Sequence, residues 1–357
     1  MIAVNARFLT QPLTGVQRFA LEISRALLDF HTDTDIHFFA PHNIQLQAEA
    51  QALHVETIGS HTGHLWEQID LPRHLKKIGN PILLNFCNTA PIFYKNKLST
   101  LHDITYIRYP QTFSKSFRYF YQMMMPLVLK TSKHVFTVSE FSKKEISEYY
   151  HTPKEKISVI YNAVDKAFHP QIDENLKKEN YLLAVSSIKE NKNFKMILNA
   201  FEEASKQIDN LKLFIAGDLK NNNFSNINLN AFVNNPRIKL LGRISDTELI
   251  KYYSNAIAFL FPSLYEGFGI PVLEAQACGC PVIASNAASM PEVLKDSAIL
   301  ANPLSLENFV QAIYNVVHNI EYRKQLIESG IQNQSRFSWN QSGKRILSAI
   351  NEVTGND

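Results

Sequence analysis

A chain of 357 residues exceeds what one hydrophobic core usually serves and points to two domains, each long enough to bury its own core. Its 45% hydrophobic and 19% charged residues exclude a disordered or low-complexity protein, and no apolar run approaches a membrane span. A formal net charge of +3 argues against nucleic acid, which needs a concentrated basic face. The three cysteines, Cys87, Cys278 and Cys280, are an odd number, and the last two share a tight turn with Gly279. That fits a reduced cytoplasm better than a disulfide framework. Residues 1–7 read as a strand entering the fold, without the marks of a secretory signal, so a cytoplasmic location is expected.

The N-terminal half alternates strand and helix patterns: strand 2–8, helix 16–30, strand 36–40 and strand 55–58, a doubly wound α/β arrangement. Between the first two lies a loop ending in Thr14-Gly15. A glycine at a helix start can bring backbone amides against phosphate, although glycine also serves such turns for steric reasons. Asp33-Thr34-Asp35 spells D-x-D, but it precedes a strand and reads as a solvated turn. The run His64-Leu65-Trp66-Glu67-Gln68 opens a helix ending near Lys77, and strand 82–86 leads to Asn88. Strand ends in such sheets face the ligand crevice, so Trp66 and Asn88 are candidate ligand contacts; a core role for the tryptophan is the alternative. His61 and His64 are three apart, but no carboxylate or cysteine pattern completes a zinc site, and no metal is expected.

The next strand, 99–105, delivers His102 and Asp103 to its end. A histidine there can hydrogen-bond a substrate hydroxyl and an adjacent acid can fix its tautomer, or the two can be structural. From Ile104 to Ser139 there is no acidic residue, while Arg108, Lys115, Arg118, Lys130 and Lys133 interleave with Tyr106, Tyr109, Phe113, Phe117, Tyr119, Phe120 and Tyr121. Residues 106–133 therefore either lie on an anionic membrane or form a helix with an aromatic core side and a solvated basic side. Strand 135–138, a helix over 141–150 with Ser139, Ser142 and Glu145 as cap signals, and strand 157–161 follow.

A polar linker, 166–180, precedes strand 181–186 and a loop containing Lys192, a point charge suited to a diphosphate or to solvent. Strands 211–216 and 238–241 end in Gly217-Asp218 and Gly242-Arg243-Ile244. After strand 256–261 and Pro262-Ser263 comes the turn Glu266-Gly267-Phe268-Gly269, and Pro271 starts a helix whose first amides, near Gly269 and Ile270, point outward and attract anions. Seven residues separate Glu266 from Glu274, one on the turn and one about a helical turn inside. A diphosphate site between two hydroxyl-binding acids suggests a nucleotide sugar. Strand 298–300, helices from Leu306 and a final helix over 341–353 complete the chain.

Glu266, Gly267, Phe268, Gly269 and Glu274, with Cys278 to Ser285 and Pro291-Glu292, resemble the E-x7-E signature of retaining glycosyltransferases of family 4. The resemblance implies the GT-B fold, with two Rossmann-like domains facing across a cleft. Residues 1–165 would form the acceptor-side domain and residues 166–340 the nucleotide-sugar domain, with the terminal helix 341–357 packing back toward the first. It implies that the Gly15 loop closes over the donor; Gln17 stands where many relatives have a second glycine. His102, with Asp103, would sit beside the transferred sugar, and Lys192 would hold the phosphates, with Ser187 and Asn191 where many relatives place arginine. Backbone near Arg243 and Ile244 would meet the base. Glu266 would bind the transferred sugar, the amides of Gly267, Phe268, Gly269 and Ile270 the diphosphate, and Glu274 the ribose. Trp66 and Asn88 would lie on the acceptor side.

The implied activity is transfer of a hexose from a nucleotide sugar to a glycan hydroxyl with retention, without metal or cofactor. The mannosyltransferase-like branch implies GDP-mannose, among rhamnosyl and other donors, and a lipid-linked polysaccharide precursor as acceptor. Peripheral contact with the cytoplasmic face of the membrane through 106–133 goes with that acceptor. A nucleotide-sugar 2-epimerase of the same architecture and a non-catalytic sugar-binding protein are the alternatives.

Overall fold

The computed structural model describes residues 1–30, 35–185, 189–217 and 235–355. Asp33 and Thr34 of the D-x-D, Ser187 and Asp218 lie outside the described residues. The chain divides into two compact units, residues 1–162 with 338–357, and residues 163–337.

In the first unit, seven parallel strands take the order β3-β2-β1-β4-β5-β6-β7, with β1 Ile2–Asn5, β2 Ile36–Ala40, β3 Glu56–Thr57, β4 Ile82–Asn85, β5 Lys97–Thr100, β6 His134–Thr137 and β7 Ile157–Val159. The central strands are buried along their whole length, as expected of a parallel sheet covered by helices on both faces. The first strand is shorter than its apolar pattern suggests, because Arg7–Thr10 leave the sheet as a 3-10 turn. The expected helix from His64 to Lys77 is three pieces: a helical turn Gly63–Leu65, a π-helix Trp66–Asp70 and an α-helix Leu71–Lys77.

Helix α1, Gly15–Asp29, buries one face on this sheet, and α2, Lys115–Thr131, is N-capped by Ser114, whose Oγ accepts from Phe117 N at 3.2 Å. Helix α3, Glu140–Tyr150, is capped in the same way by Ser139. In the second unit, α4 is Ile270–Ala277. The last helix, α5 (Trp339–Thr354), belongs to the first unit and packs on α1. A Cβ on Gly343 would come within 2.8 Å of the Phe30 ring and 3.2 Å of Ala26 Cβ, so the close crossing requires glycine there. Ser342 Oγ also donates to Tyr161 O at 2.6 Å.

The second unit repeats the plan. Its six parallel strands, β8 Tyr181–Val185, β9 Lys212–Ala216, β10 Ile238–Gly242, β11 Ala258–Phe261, β12 Val282–Ser285 and β13 Ile299–Ala301, take the order β10-β9-β8-β11-β12-β13. Phe194, Phe201, Leu213, Leu260, Ile283 and Phe309 are among the residues that fill its core. Both sheets are Rossmann-like, and in both the strand order reverses once, between β1 and β4 and between β8 and β11. Ligands of open α/β sheets bind at the carboxyl ends of the strands flanking such a reversal.

Candidate active site

At the second unit's reversal the loops after β8 and β11 meet. Glu190–Lys192 form a 3-10 turn, and Asn193 follows at φ 52°. This turn is stitched to the loop after β11: Asn191 Nδ2 donates to Tyr265 O at 3.1 Å, Leu264 N to Asn191 O at 2.7 Å, and Asn193 Nδ2 to Pro262 O at 3.1 Å. The result is that Lys192 Nζ pairs with Glu266 Oε1. The same carboxylate oxygen accepts from the buried Ser263 Oγ at 2.9 Å, and Ser289 Oγ donates to the Glu266 carbonyl at 3.0 Å. Glu266 is thereby fixed through both side chain and backbone.

Gly269 caps α4 at φ 88°, a conformation that favours glycine, and a Cβ there would lie 2.6 Å from Met290 Cε. Pro271 occupies the first turn, where its missing N–H leaves no bond unmade. Glu274 is buried on α4, with the buried Tyr253 hydroxyl beside it; burial, and then the Glu274 charge, push that phenol well above its ordinary pKa. Arg243 is exposed and Ile244 half-buried in the turn after β10.

In the first unit, His102 lies two residues beyond β5 and is nearly buried. Burial lowers its pKa, against the opposing pull of the Phe86 carbonyl and Asp103, so the ring is neutral at pH 7. Its Nε2 is 2.9 Å from Phe86 O, which can only accept; the neutral ring therefore carries its proton on Nε2 and leaves Nδ1 as an acceptor. The Phe86 carbonyl thus fixes the tautomer, while Asp103 Oδ1 accepts from Thr105 N at 2.8 Å and Thr105 Oγ1 at 2.6 Å. The His102 backbone is held by Asn88 Oδ1, which accepts from His102 N at 2.9 Å, and Phe19 of α1 meets the imidazole edge-on at 4.9 Å.

Trp66, expected at the acceptor, is fully buried with its indole N–H donated to Ile58 O at 2.7 Å; it belongs to the core. Gly15 opens α1 on an exposed loop, and Gln17, in the place of a glycine, ties that loop down through Thr14 and through Gln11 Oε1 at 2.7 Å. No group of three or more His, Cys, Asp or Glu side chains able to hold a metal occurs among the described residues.

Two family models together match residues 13–333: Glycosyltransferase Family 4 over residues 13–168 and Glycosyl transferases group 1 over residues 165–333. The O-antigen chain mannosyltransferase RfbU of Salmonella typhimurium is 34% identical over 248 residues, which cover 68% of this chain and 67% of that protein. The chain belongs to glycosyltransferase family 4.

Another similar relative is O-antigen chain mannosyltransferase B of Escherichia coli, 26% identical over 73% of this glycosyltransferase and 72% of that protein. Two solved structures share the fold. A glycosyltransferase from Rickettsia africae superposes with a TM-score of 0.73 at 20% identity, covering 100% of this chain and 98% of that one. Anabaena HepE in complex with UDP gives 0.76 at 15%, covering 98% and 99%. The fold is GT-B, and the protein is a transferase.

Sequence reading had not singled out Arg7, Glu67 or Ser263. Ser263 was hidden as an ordinary turn residue, although its place three residues before Glu266 was the available signal. Arg7 was absorbed into a strand that ends at Asn5, and Glu67 stood beside the more conspicuous Trp66.

Proposed function

We propose that this glycosyltransferase moves mannose from GDP-mannose to a hydroxyl of a lipid-linked glycan, with retention at the anomeric carbon and without a metal ion. The observation that carries the donor assignment is the contact between Lys192 and Glu266. A single bond separates sugar from phosphate in a nucleotide sugar, and here a cation for phosphate touches an acid for sugar hydroxyls. Glu274, one helical turn into α4, is assigned the ribose, and the amides from Gly267 to Ile270 share the diphosphate with Lys192. Backbone near Arg243 and Ile244 is assigned the base, and the Gly15 loop the closing of the site.

In the reaction, the bond from the anomeric carbon to the leaving phosphate oxygen breaks and the acceptor oxygen bonds to the same face. The acceptor proton passes to the departing diphosphate. Lys192 and the α4 amides stabilise the charge gathering there. His102 accepts a hydrogen bond from a hydroxyl of the transferred sugar through Nδ1, and Asp103 and Asn88 stand near it on the acceptor side. Mannose and an O-antigen-type acceptor are favoured by the names of the relatives.

Contact with anionic lipid is assigned to α2. Tyr119, Met123 and Leu127 recur every four residues along it, 65%, 75% and 46% exposed, with exposed Lys115 and Lys130 on the same helix. No described helix is long and apolar enough to cross a membrane. The donor reading is tested by a thermal-shift panel of nucleotide sugars in EDTA, since a ligand stabilises the folded state in proportion to ln(1 + [L]/Kd). GDP-mannose should give the largest shift; a larger shift with a UDP sugar would reassign the donor. NMR of the product should show the anomeric configuration of the donor.

A further inference from the structure

The strand reversal of the first unit carries a polar cluster that none of the roles above uses. Asn5 and Asn85 end β1 and β4 and are joined, Nδ2 to Oδ1, at 3.0 Å. Over them lie Arg7 and Glu67, both buried. Glu67 Oε1 accepts from Asn5 Nδ2 at 2.9 Å, Thr89 Oγ1 at 3.1 Å and Arg7 Nε at 3.2 Å, and Arg7 Nη2 donates to Thr89 Oγ1 at 2.7 Å. Burial would raise the Glu67 carboxyl, but Arg7, with His64 and Thr89, outweighs it and holds the pKa down at about 2.

Stability does not account for such a pair, because apolar residues of similar volume usually serve a core as well or better. The backbone carrying Glu67 is also unusual. The π-helix Trp66–Asp70 is a rare wide turn of a kind frequent at functional sites, and it sends Trp66 into the core while Glu67 joins a narrow crevice with Asn5, Arg7, Phe8, Gln11 and Cys87. Within that crevice bonding capacity is left over. Glu67 Oε2 has only His64 Nδ1, at a long 3.4 Å, and Arg7 Nη1 has no hydrogen-bond partner among the described residues. An acceptor and a donor therefore stand side by side. Tyr121 of α2 lies close by.

We infer that Arg7 and Glu67 form a subsite for a sugar ring of the acceptor, in which the Glu67 carboxylate accepts from one hydroxyl while the Arg7 guanidinium donates to its neighbour. The inference rests on the glycosyltransferase reading and adds the acceptor's recognition element, a vicinal diol. Each hydroxyl of such a diol can both donate and accept.

The test uses saturation-transfer NMR on the full chain saturated with GDP, with the methyl glycosides of mannose, galactose, glucose, rhamnose and N-acetylglucosamine as probes. The double variant Arg7→Met/Glu67→Met strands no charge, and Arg7→Lys keeps the charge but loses the fork. At least one glycoside should bind the natural protein. It should bind the double variant about tenfold more weakly or not at all, in line with the loss of a hydrogen bond to a charged group. Its deoxy analogue lacking either hydroxyl should behave alike. Undiminished glycoside binding by the double variant, or no binding of any glycoside to the natural protein, would overturn the subsite. GDP-mannose titrated into the same proteins keeps the two readings apart: its binding should be equal in all of them, and its absence would sink the donor assignment while the glycoside comparison still decides the subsite.

Discussion

Glu266 is held by three neighbours with different duties: Lys192 balances its charge, Ser263 aims the carboxylate, and Ser289 pins its carbonyl. Ser263 is a positioning residue, because its buried hydroxyl touches Glu266 and is assigned no contact with substrate. Ser263→Ala should lower kcat about tenfold, the equivalent of one hydrogen bond to a charged group, and leave the Kd for GDP within about twofold. Equal loss of GDP affinity would show that the loop had collapsed. The glutamate pair itself was legible from its spacing and the glycines between. The lysine–glutamate contact was not, since it joins residues 74 positions apart through hydrogen bonds between two loops. His102 was legible as a candidate at a strand end, but that its Nδ1 is left as an acceptor follows only from the Phe86 carbonyl, which accepts a hydrogen bond from Nε2.

Helix α2 shows the same limit at the scale of an element. Its lack of acids and its aromatic content were evident in the sequence, but not that one face of the helix is buried while another leaves large apolar side chains exposed. Phe113, Phe117 and Tyr121 stack on one another at 5.0 and 4.1 Å, and Met125 and Val128 are buried, while Tyr119, Met123 and Leu127 face outward. Arg108 is already paired with Glu145 of α3 at 2.6 and 2.9 Å, so the free basic charge is smaller than the composition suggests. The protein should float with vesicles containing anionic lipid at low salt, and Met123→Glu should abolish flotation; equal flotation of the variant would remove α2 as the contact.

At its far end α2 meets Lys97, a fully buried lysine on β5 whose Nζ donates to Thr131 Oγ1 and Tyr94 O, each at 2.8 Å. Burial, with the nearby Lys156 charge, brings its pKa down to about 7. The unfolded chain keeps this proton up to the ordinary value of 10.5, so stability rises with pH between about 7 and 10.5, and the whole cost of the buried charge is present below 7. Lys97→Met should therefore stabilise the protein at pH 6, by on the order of 1–3 kcal/mol in denaturant unfolding, with a gain that shrinks toward pH 10. A gain independent of pH would contradict this.

Across the whole molecule, two sheets with the same reversal in strand order each carry a charged cluster at that reversal, Lys192 with Glu266 in one unit and Arg7 with Glu67 in the other. The alternation of strands and helices was readable because parallel strands buried on both faces are short continuous apolar runs. The π-helix was not, because its wider turn leaves no mark in a pattern read at 3.6 residues per turn. Nor does the pattern of a terminal amphipathic helix say which unit receives it; the contact of Gly343 with Ala26 does. The metal-independent donor site proposed at the second unit's reversal is tested most directly by calorimetric titration of GDP-mannose in EDTA. The natural protein should bind, and Lys192→Ala and Glu274→Ala should each bind about tenfold more weakly or worse. Unchanged affinity in both variants, or binding that appears only with added divalent metal, would contradict the account.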